Sequence, residues 1–236
     1  MGLLFDTVSE ALRLLLGGDA YLWQIVLLSF RVSGVAVLIG LLIGLPIGVL
    51  VALARFRGRS VVIALIHTGF ALPPVVVGLF VYLVLSRAGP AGRLELLFTP
   101  AAMVLAQALL AAPYVAGITL AAVQAVPRDV RLQAASLGAS SARSLWMHLR
   151  EARLGLVAAV VAGFGAVISE VGAVMLVGGN ITGETRVMTT AIVLETRRGN
   201  YATAMAMGLL LLALAFAVNL LLTRAQQGRL ARRTWS

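Results

Sequence analysis

Five apolar runs, each long enough to cross a lipid bilayer as a helix, constrain the fold of this chain more than any other feature. They cover roughly residues 21–54, 61–85, 99–126, 154–177 and 202–223. A helix needs about 20 apolar residues to span the hydrocarbon core, and the whole chain is 61% hydrophobic with a mean hydropathy of +1.01. The sequence therefore predicts an all-α, polytopic membrane protein with about five transmembrane helices and excludes an ordinary soluble domain.

The segments between these runs carry unequal numbers of arginines, and all 19 basic residues are arginine. Twelve follow runs 1, 3 and 5, whereas six precede run 1 or follow runs 2 and 4. The positive-inside rule therefore predicts an N-terminus outside and a C-terminus in the cytoplasm. Topology explains the net charge of +10 better than nucleic-acid binding does, because no aromatic residues are interleaved with the arginines.

Residues 1–20 are predicted to form a separate amphipathic segment at the membrane surface. Acids precede the first base and no small-residue cleavage site follows, which excludes a signal peptide. Apolar side chains recur at helical spacing, which predicts a short surface helix: Leu4, Val8, Leu12 and Leu15. We expect residues 21–223 to form one membrane domain and residues 224–236 a basic cytoplasmic tail.

Small residues and prolines inside the runs indicate how the helices pack. Gly40, Gly44 and Gly48 recur every four residues of run 1, so one face of that helix allows the backbone of another helix to approach closely. Pro73 and Pro74 break run 2, and run 1 and run 3 each contain one proline. Proline frees backbone carbonyls, which a membrane tolerates only against protein or a water-filled cavity. The double proline favours a transport pathway over a simple kink.

Glu170 is the one acid inside an apolar run. Placing a charge in the membrane costs about 2.5–3.5 kcal/mol on insertion scales, so this carboxyl needs a partner or a proton. Arg31 lies toward the same outer half of the membrane, where snorkelling of its long side chain is the simplest account. We predict a structural or gating ion pair between Glu170 and Arg31, with a protonated, hydrogen-bonded glutamate as the alternative.

The stretch GGNITGET, residues 178–185, resembles a nucleotide-binding phosphate loop at both glycines and at its threonine. Glu184 stands where the essential lysine belongs and would repel phosphates. The preceding residues form an apolar span rather than a strand, and the arginine count places the stretch outside the cell. We therefore predict an external turn and no nucleotide site here.

The cytoplasmic segment 127–153, PRDVRLQAASLGASSARSLWMHLREAR, is predicted to be two short helices hinged at a glycine. Pro127 suits a first helical turn, Gly138 a left-handed helix end, and Ser140 or Ser141 the cap of a second helix running to about Arg150. Small residues around the hinge, flanked by arginines such as Arg143, indicate a surface that docks a partner.

This segment resembles the coupling loop of permease subunits of ATP-binding cassette importers. That loop begins Glu-Ala-Ala, has a glycine three residues later and continues into the helix that docks on the ATPase; the matching positions are Gln133, Ala134, Ala135 and Gly138, followed by Ala139 and Ser140. The sequence departs from the pattern at Gln133, which lacks the charge of the usual glutamate, and at Arg150 and Glu151, where many members have Leu-Pro. Docking by shape does not depend on these differences.

Two further stretches resemble the permeases of the sulfate, molybdate and tungstate group, most closely its tungstate branch: ALPPVVVG and SEVGAVMLVGGNITGETRVMTTAIVLET. This resemblance implies a type I importer permease in the cell membrane of a prokaryote. A second copy, a cytoplasmic ATPase dimer that holds ATP and magnesium, and an external oxyanion-binding protein would complete the transporter. Backbone N–H groups and hydroxyls suit a tetrahedral dianion. Candidate residues for the path or gate are Pro73, Pro74, Ser169, Glu170, Gly178, Gly179, Asn180, Thr189 and Thr190, with Thr182 and Thr185 as further hydroxyl donors.

Other classes of protein are less well supported. The chain has no cysteine, and its two histidines, His67 and His148, lack the spacing of a metal site. We find no paired acids and no nucleophile with a base, so we expect no catalysis and no bound cofactor in this chain. The alternatives that remain open are an importer for sulfate or another anion and a proton-coupled secondary transporter with Glu170 as its proton site.

Overall fold

The computed structural model describes residues 2–233, apart from residues 128, 131, 132, 134, 135 and 137. The described residues form helices, turns and loops and include no strand. Helix α1 spans Gly2–Leu16 and α2 spans Ala20–Leu53. The Asp19 carboxylate caps α2 by accepting hydrogen bonds from the Tyr21 and Leu22 N–H groups, at 2.8 and 3.1 Å. Helix α1 thus corresponds to the helix predicted within residues 1–20.

The second apolar run forms two helices instead of one kinked span. Helix α3, Arg59–Phe70, and helix α4, Pro74–Leu85, meet at an angle of 99°. A short 3₁₀ turn, Gly92–Leu94, then leads to α5, Pro100–Gln124, which Thr99 caps through its hydroxyl. The double proline does break the run, because Pro73 lacks the N–H that would continue α3 and Pro74 begins a new helix.

The predicted limits of the fourth run are wrong at both ends. Helix α6 spans Ser141–Ile168, so the helix after the glycine hinge does not end near Arg150 but continues into the membrane. It stops before the predicted end at residue 177, and residues 172–178 form a separate helix α7, Gly172–Gly178. Helix α8, Met188–Arg197, was not predicted, and α9, Tyr201–Arg233, includes the fifth run and most of the basic tail.

Helix α5 lies at the centre of the bundle and contacts α2, α3, α4, α6 and α7. The glycine face of α2 packs against it, as predicted: a Cβ built on Gly44 would lie 2.6 Å from the carbonyl oxygen of Ala112, and one on Gly48 would lie 2.5 Å from that of Ala116. Only glycine permits this backbone contact. The surrounding core includes Val32, Met103, Val174 and Val177, each at most 1% exposed.

Among the described residues, four helices are long and apolar enough to cross a membrane, and the number is five if the bent pair α3–α4 counts as one span. Counted in this way, it equals the number of predicted spans. The large apolar side chains of α2, α4 and α9 that face outward, such as Leu42, Phe80 and Phe216, are 76%, 62% and 68% exposed. An exposed apolar surface of this extent is stable in lipid but not in water.

Candidate functional site

Two helix breaks lie side by side and form the most distinctive feature of the bundle. We call them the paired break: residues 71–73 between α3 and α4, and residues 169–171 between α6 and α7. The two helices that follow are in backbone contact, since a Cβ on Gly78 would lie 2.6 Å from Ala173 Cα and one on Gly172 would lie 2.5 Å from the Val75 side chain. Non-helical backbone at membrane depth occurs only where it faces protein or a water-filled cavity, and broken helices mark the substrate sites of many transporters.

The Glu170 carboxylate caps α7 and is not part of an ion pair with Arg31. Its Oε1 accepts a hydrogen bond from the Ala173 N–H at 2.9 Å, and the residue is 9% exposed. Arg31 is exposed, and its guanidinium does not lie within ion-pair distance of the Glu170 carboxylate. The predicted pair is therefore absent, because the break in α6 turns the Glu170 carboxylate toward the open N–H groups of the next helix.

Buried side chains from other helices satisfy the polar backbone that the paired break exposes. Thr189 on α8 donates from its hydroxyl to the Glu170 carbonyl at 2.7 Å, and Gln107 on α5 donates from Nε2 to the Val167 carbonyl at 2.9 Å. Ser29 on α2 accepts from the Met188 N–H at 2.8 Å, where α8 begins. Sequence reasoning missed Gln107 and Ser29; both are polar residues within apolar runs, which was the available clue.

One acceptor in this region has no partner. The Gln107 Oε1 atom is buried, and no described residue donates to it. An unpaired buried acceptor costs free energy that only a donor such as water can offset, so this oxygen is not a contact for an anion.

The GGNITGET stretch forms a closed loop after α7 and is not a phosphate loop; we call it the outer loop, after the side of the membrane on which it is predicted to lie. The N–H groups of Glu184, Thr185 and Arg186 all donate to the carbonyl of Ile181, so they are not available to a phosphate. It follows a helix, α7, as predicted. Gly179 has φ +69°, and a Cβ there would lie 2.9 Å from the Phe98 ring, which explains the glycine at this position.

A buried arginine that sequence reasoning did not single out holds this loop against α2. Arg186 is 6% exposed and donates from Nη1 to the Tyr21 hydroxyl at 2.7 Å. It also donates to the Asn180 side-chain oxygen and to the Asn180 carbonyl, both at 3.2 Å. Asn180 has φ +54°, a backbone conformation that these bonds stabilise.

Most of the candidate hydroxyls already use their single proton. Thr185 donates to the Gly178 carbonyl, Thr189 to Glu170 and Thr190 to Val187, and all three are buried. They position the outer loop and α8, and they have no proton left for an anion. Ser169 and Thr182 are exposed, and the Ser169 hydroxyl also donates its proton to a carbonyl, that of Gly165 at 2.8 Å.

A cavity of about 500 Å³ lies beside Ser169, between α5, α6 and α9. Its walls are mainly apolar, with Ser169 and Asn219 as polar side chains. Pro73 is exposed at the other half of the paired break, and Pro74 is half-buried. The structure thus brings Pro73, Pro74, Ser169 and Glu170 to one region, and it places Gly178, Gly179 and Asn180 in the outer loop above.

Residues 127–153, the segment predicted to be cytoplasmic, have the predicted hinge. Residues 129, 130, 133 and 136 are helical, Gly138 has φ +70°, and the Ser140 hydroxyl accepts from the Arg143 N–H at 3.4 Å to cap α6. Gln133, Ser140 and Arg143 are exposed, and Ala139 is half-buried. Ala134 and Ala135 lie outside the described residues. Because α6 begins directly after the hinge, this segment connects to the paired break through one continuous helix.

Comparison with known proteins identifies the family. Residues 44–236 match the model of the family described as binding-protein-dependent transport system inner membrane component. The chain belongs to this family. A probable anion ABC transporter permease protein of Haloferax volcanii is 49% identical over 206 residues, which cover 85% of this chain and 89% of that protein. The tungstate uptake system permease protein TupB of Peptoclostridium acidaminophilum is 38% identical over 217 residues, which cover 92% of the permease described here and 95% of its relative.

The fold is also found in solved transporter structures. A chain from the crystal structure of an amino acid ABC transporter with histidines superimposes with a TM-score of 0.69 at 19% identity, covering 90% of the permease and 96% of that chain. The permease therefore has the fold of ABC transporter membrane subunits and is a multi-pass membrane protein, as the sequence resemblance implied.

Proposed function

We propose that this permease is the membrane subunit of an ATP-driven importer for a tetrahedral oxyanion, with tungstate favoured and molybdate next. The observation that carries the proposal is the 38% identity to a tungstate uptake permease over 92% of the chain. The 49% identity to a probable anion permease supports the same class of substrate. Tungstate and molybdate are nearly identical tetrahedra, so we expect a separate external binding protein to discriminate between them.

The anion crosses next to the paired break in this proposal. Weak binding is required there, because tight binding inside the membrane would slow release. The mainly apolar cavity beside Ser169 suits this requirement, since its polar side chains, Ser169 and Asn219, carry no charge. The Glu170 carboxylate would repel a dianion; its bond to the Ala173 N–H supports a structural role instead.

Two copies of the permease enclose the path, and each docks residues 127–153 on a cytoplasmic ATPase subunit. The ATPase, and not this chain, binds ATP and magnesium and performs hydrolysis. Residues 21–223 form the permease domain, between the surface helix of residues 1–20 and the cytoplasmic tail of residues 224–236. The N-terminus lies outside, and the twelve arginines on the opposite side support this orientation.

Reconstitution tests the substrate. The permease, its ATPase and its binding protein are placed in proteoliposomes, and ATP hydrolysis is measured with tungstate, molybdate, sulfate or no anion. We expect tungstate to stimulate hydrolysis at the lowest concentration. Stimulation by sulfate alone would move the assignment to sulfate, and stimulation by none of the three would refute oxyanion import.

Persistence of transport without ATP, together with collapse on addition of an uncoupler, would indicate a proton-coupled carrier instead.

A further inference from the structure

A second polar cavity lies at the opposite end of the bundle from the outer loop and has no part in the proposed path. Its volume is about 310 Å³, and it lies where α2 and α5 end and α3 begins, against the second turn of α6. We call it the basic cavity. Its polar side chains are Arg55, Arg59, Gln124 and His148.

The basic cavity contains positive charge without an acidic partner. No carboxylate lines it, and the nine acids of the chain all lie among the described residues. Of these described acids, none approaches Arg55 or Arg59 within ion-pair distance. Two guanidinium groups on one small cavity repel each other, so an anion between them would lower the electrostatic energy of the folded protein.

Local contacts fix part of this wall in place. Arg59 donates from Nε to the Val51 carbonyl at 2.8 Å, which satisfies one open carbonyl at the end of α2 and leaves the two terminal NH₂ groups for another acceptor. His148 is 4% exposed, and Gln124 contributes an amide from the end of α5. A planar guanidinium held at a fixed position, as that of Arg59 is, matches the oxygens of a phosphate group, and Arg55 adds a second positive charge.

We propose that the basic cavity binds a phosphate-type tetrahedral anion. Two sources offer this chemistry: the headgroup phosphate of an anionic phospholipid and free inorganic phosphate. Basic pockets between transmembrane helices at the cytoplasmic surface bind anionic headgroups in this way. The proposed orientation determines only which leaflet supplies the lipid, and binding itself does not depend on the transported substrate.

Binding is measured on the purified full-length chain in non-ionic detergent, separately for inorganic phosphate and for short-chain phosphatidylglycerol, with phosphatidylcholine as the lipid control. Native mass spectrometry counts bound molecules, and titration of the thermal midpoint gives the apparent affinity. The Arg55→Gln/Arg59→Gln double variant is expected to lose at least about tenfold in affinity, because the loss of a single charge-assisted hydrogen bond already accounts for that factor. Arg57→Gln removes the same charge from the same loop, outside the cavity lining, and is expected to bind as the wild type does.

The single variant Arg55→Gln keeps the bond between Arg59 and Val51, so its weaker binding cannot be attributed to loss of that contact. Saturable binding of phosphatidylglycerol alone would assign the headgroup, and saturable binding of inorganic phosphate would assign the free anion. The proposal is overturned if neither probe saturates, if phosphatidylcholine binds equally well, or if Arg55→Gln and Arg57→Gln weaken binding to the same extent. None of these results depends on tungstate transport, so a failed transport assay leaves the binding test intact.

Discussion

At the scale of single residues, Glu170 connects two helices by two different groups. Its carboxylate accepts from the Ala173 N–H at the start of α7, and its backbone carbonyl accepts from the Thr189 hydroxyl on α8. A capping carboxylate also interacts favourably with the positive end of a helix. One residue can therefore determine both where α6 stops and how the next two helices are placed.

Substitutions of Glu170 separate capping from ion pairing. Glu170→Ala removes the cap and is expected to lower the free energy of unfolding by about 1–2 kcal/mol. Glu170→Gln keeps an acceptor oxygen at the same reach and is expected to lose less. Unfolding in mixed detergent micelles measures both values.

The charge-swapped double variant Glu170→Arg/Arg31→Glu provides the complementary test. Because the structure shows no contact between these side chains within ion-pair distance, we expect no recovery of stability or transport. Recovery relative to the single variants would restore the ion pair and contradict the capping role.

At the scale of elements, close contact between α2 and α5 depends on the glycine face of α2. Gly40, Gly44 and Gly48 lie against α5, whereas Gly34 on the same helix has nothing within 4 Å of a built Cβ. Helices at this distance gain dispersion energy along their whole contact, which is the main source of helix association in lipid. The stability of the fold should therefore be sensitive to substitution of Gly40, Gly44 or Gly48 and insensitive to substitution of Gly34.

Gly48→Ala and Gly34→Ala form a matched pair on one helix. Gly48→Ala places a methyl group 2.5 Å from the Ala116 carbonyl oxygen, so α2 and α5 must separate. We expect a destabilisation of about 1–3 kcal/mol, as for other overpacked sites. Gly34→Ala should leave stability unchanged or raise it slightly, because alanine favours the helix. Thermal unfolding followed by tryptophan fluorescence distinguishes them, and equal midpoints would contradict the packing argument.

The sequence predicted the helices well where a local pattern marks them. The apolar runs, the double proline at residues 73–74 and the hinge at Gly138 all have local causes. The break at residues 169–171 contains neither proline nor glycine, and contacts from Gln107 and Thr189, far away in the sequence, satisfy its backbone. The same holds for the bond between Arg186 and Tyr21, which are 165 residues apart. Such long-range partners cannot be read from a local pattern.

At the scale of the whole molecule, polar positions fall into three layers. The outer loop is closed by its own hydrogen bonds, the paired break lies inside the bundle, and the basic cavity lies at the other end. An exposed hydroxyl, Ser169, adjoins the middle layer and the cavity between α5, α6 and α9. If an anion passes through the bundle, water must reach this layer as well.

Cysteine labelling tests this arrangement, because the chain has no cysteine of its own. Ser169→Cys should react with a charged, water-soluble thiosulfonate, since a thiol in contact with water can ionise to the reactive thiolate. Leu212→Cys, at an apolar position of α9 that is 68% exposed, should face lipid and react much more slowly. Tungstate supplied with the binding protein and ATPase should slow labelling at residue 169. Equal rates at the two positions would contradict a water-accessible path at Ser169.

Helix α6 begins at the Gly138 hinge and runs without interruption to Ile168. An α-helix of 28 residues is about 42 Å long. In the proposed transporter, displacement of its cytoplasmic end would therefore reach the membrane interior as a rigid-body movement, and the chain would change direction first at residues 169–171. A more flexible α6 would uncouple ATP hydrolysis from transport. The ATPase would continue to hydrolyse ATP while less anion entered the cell.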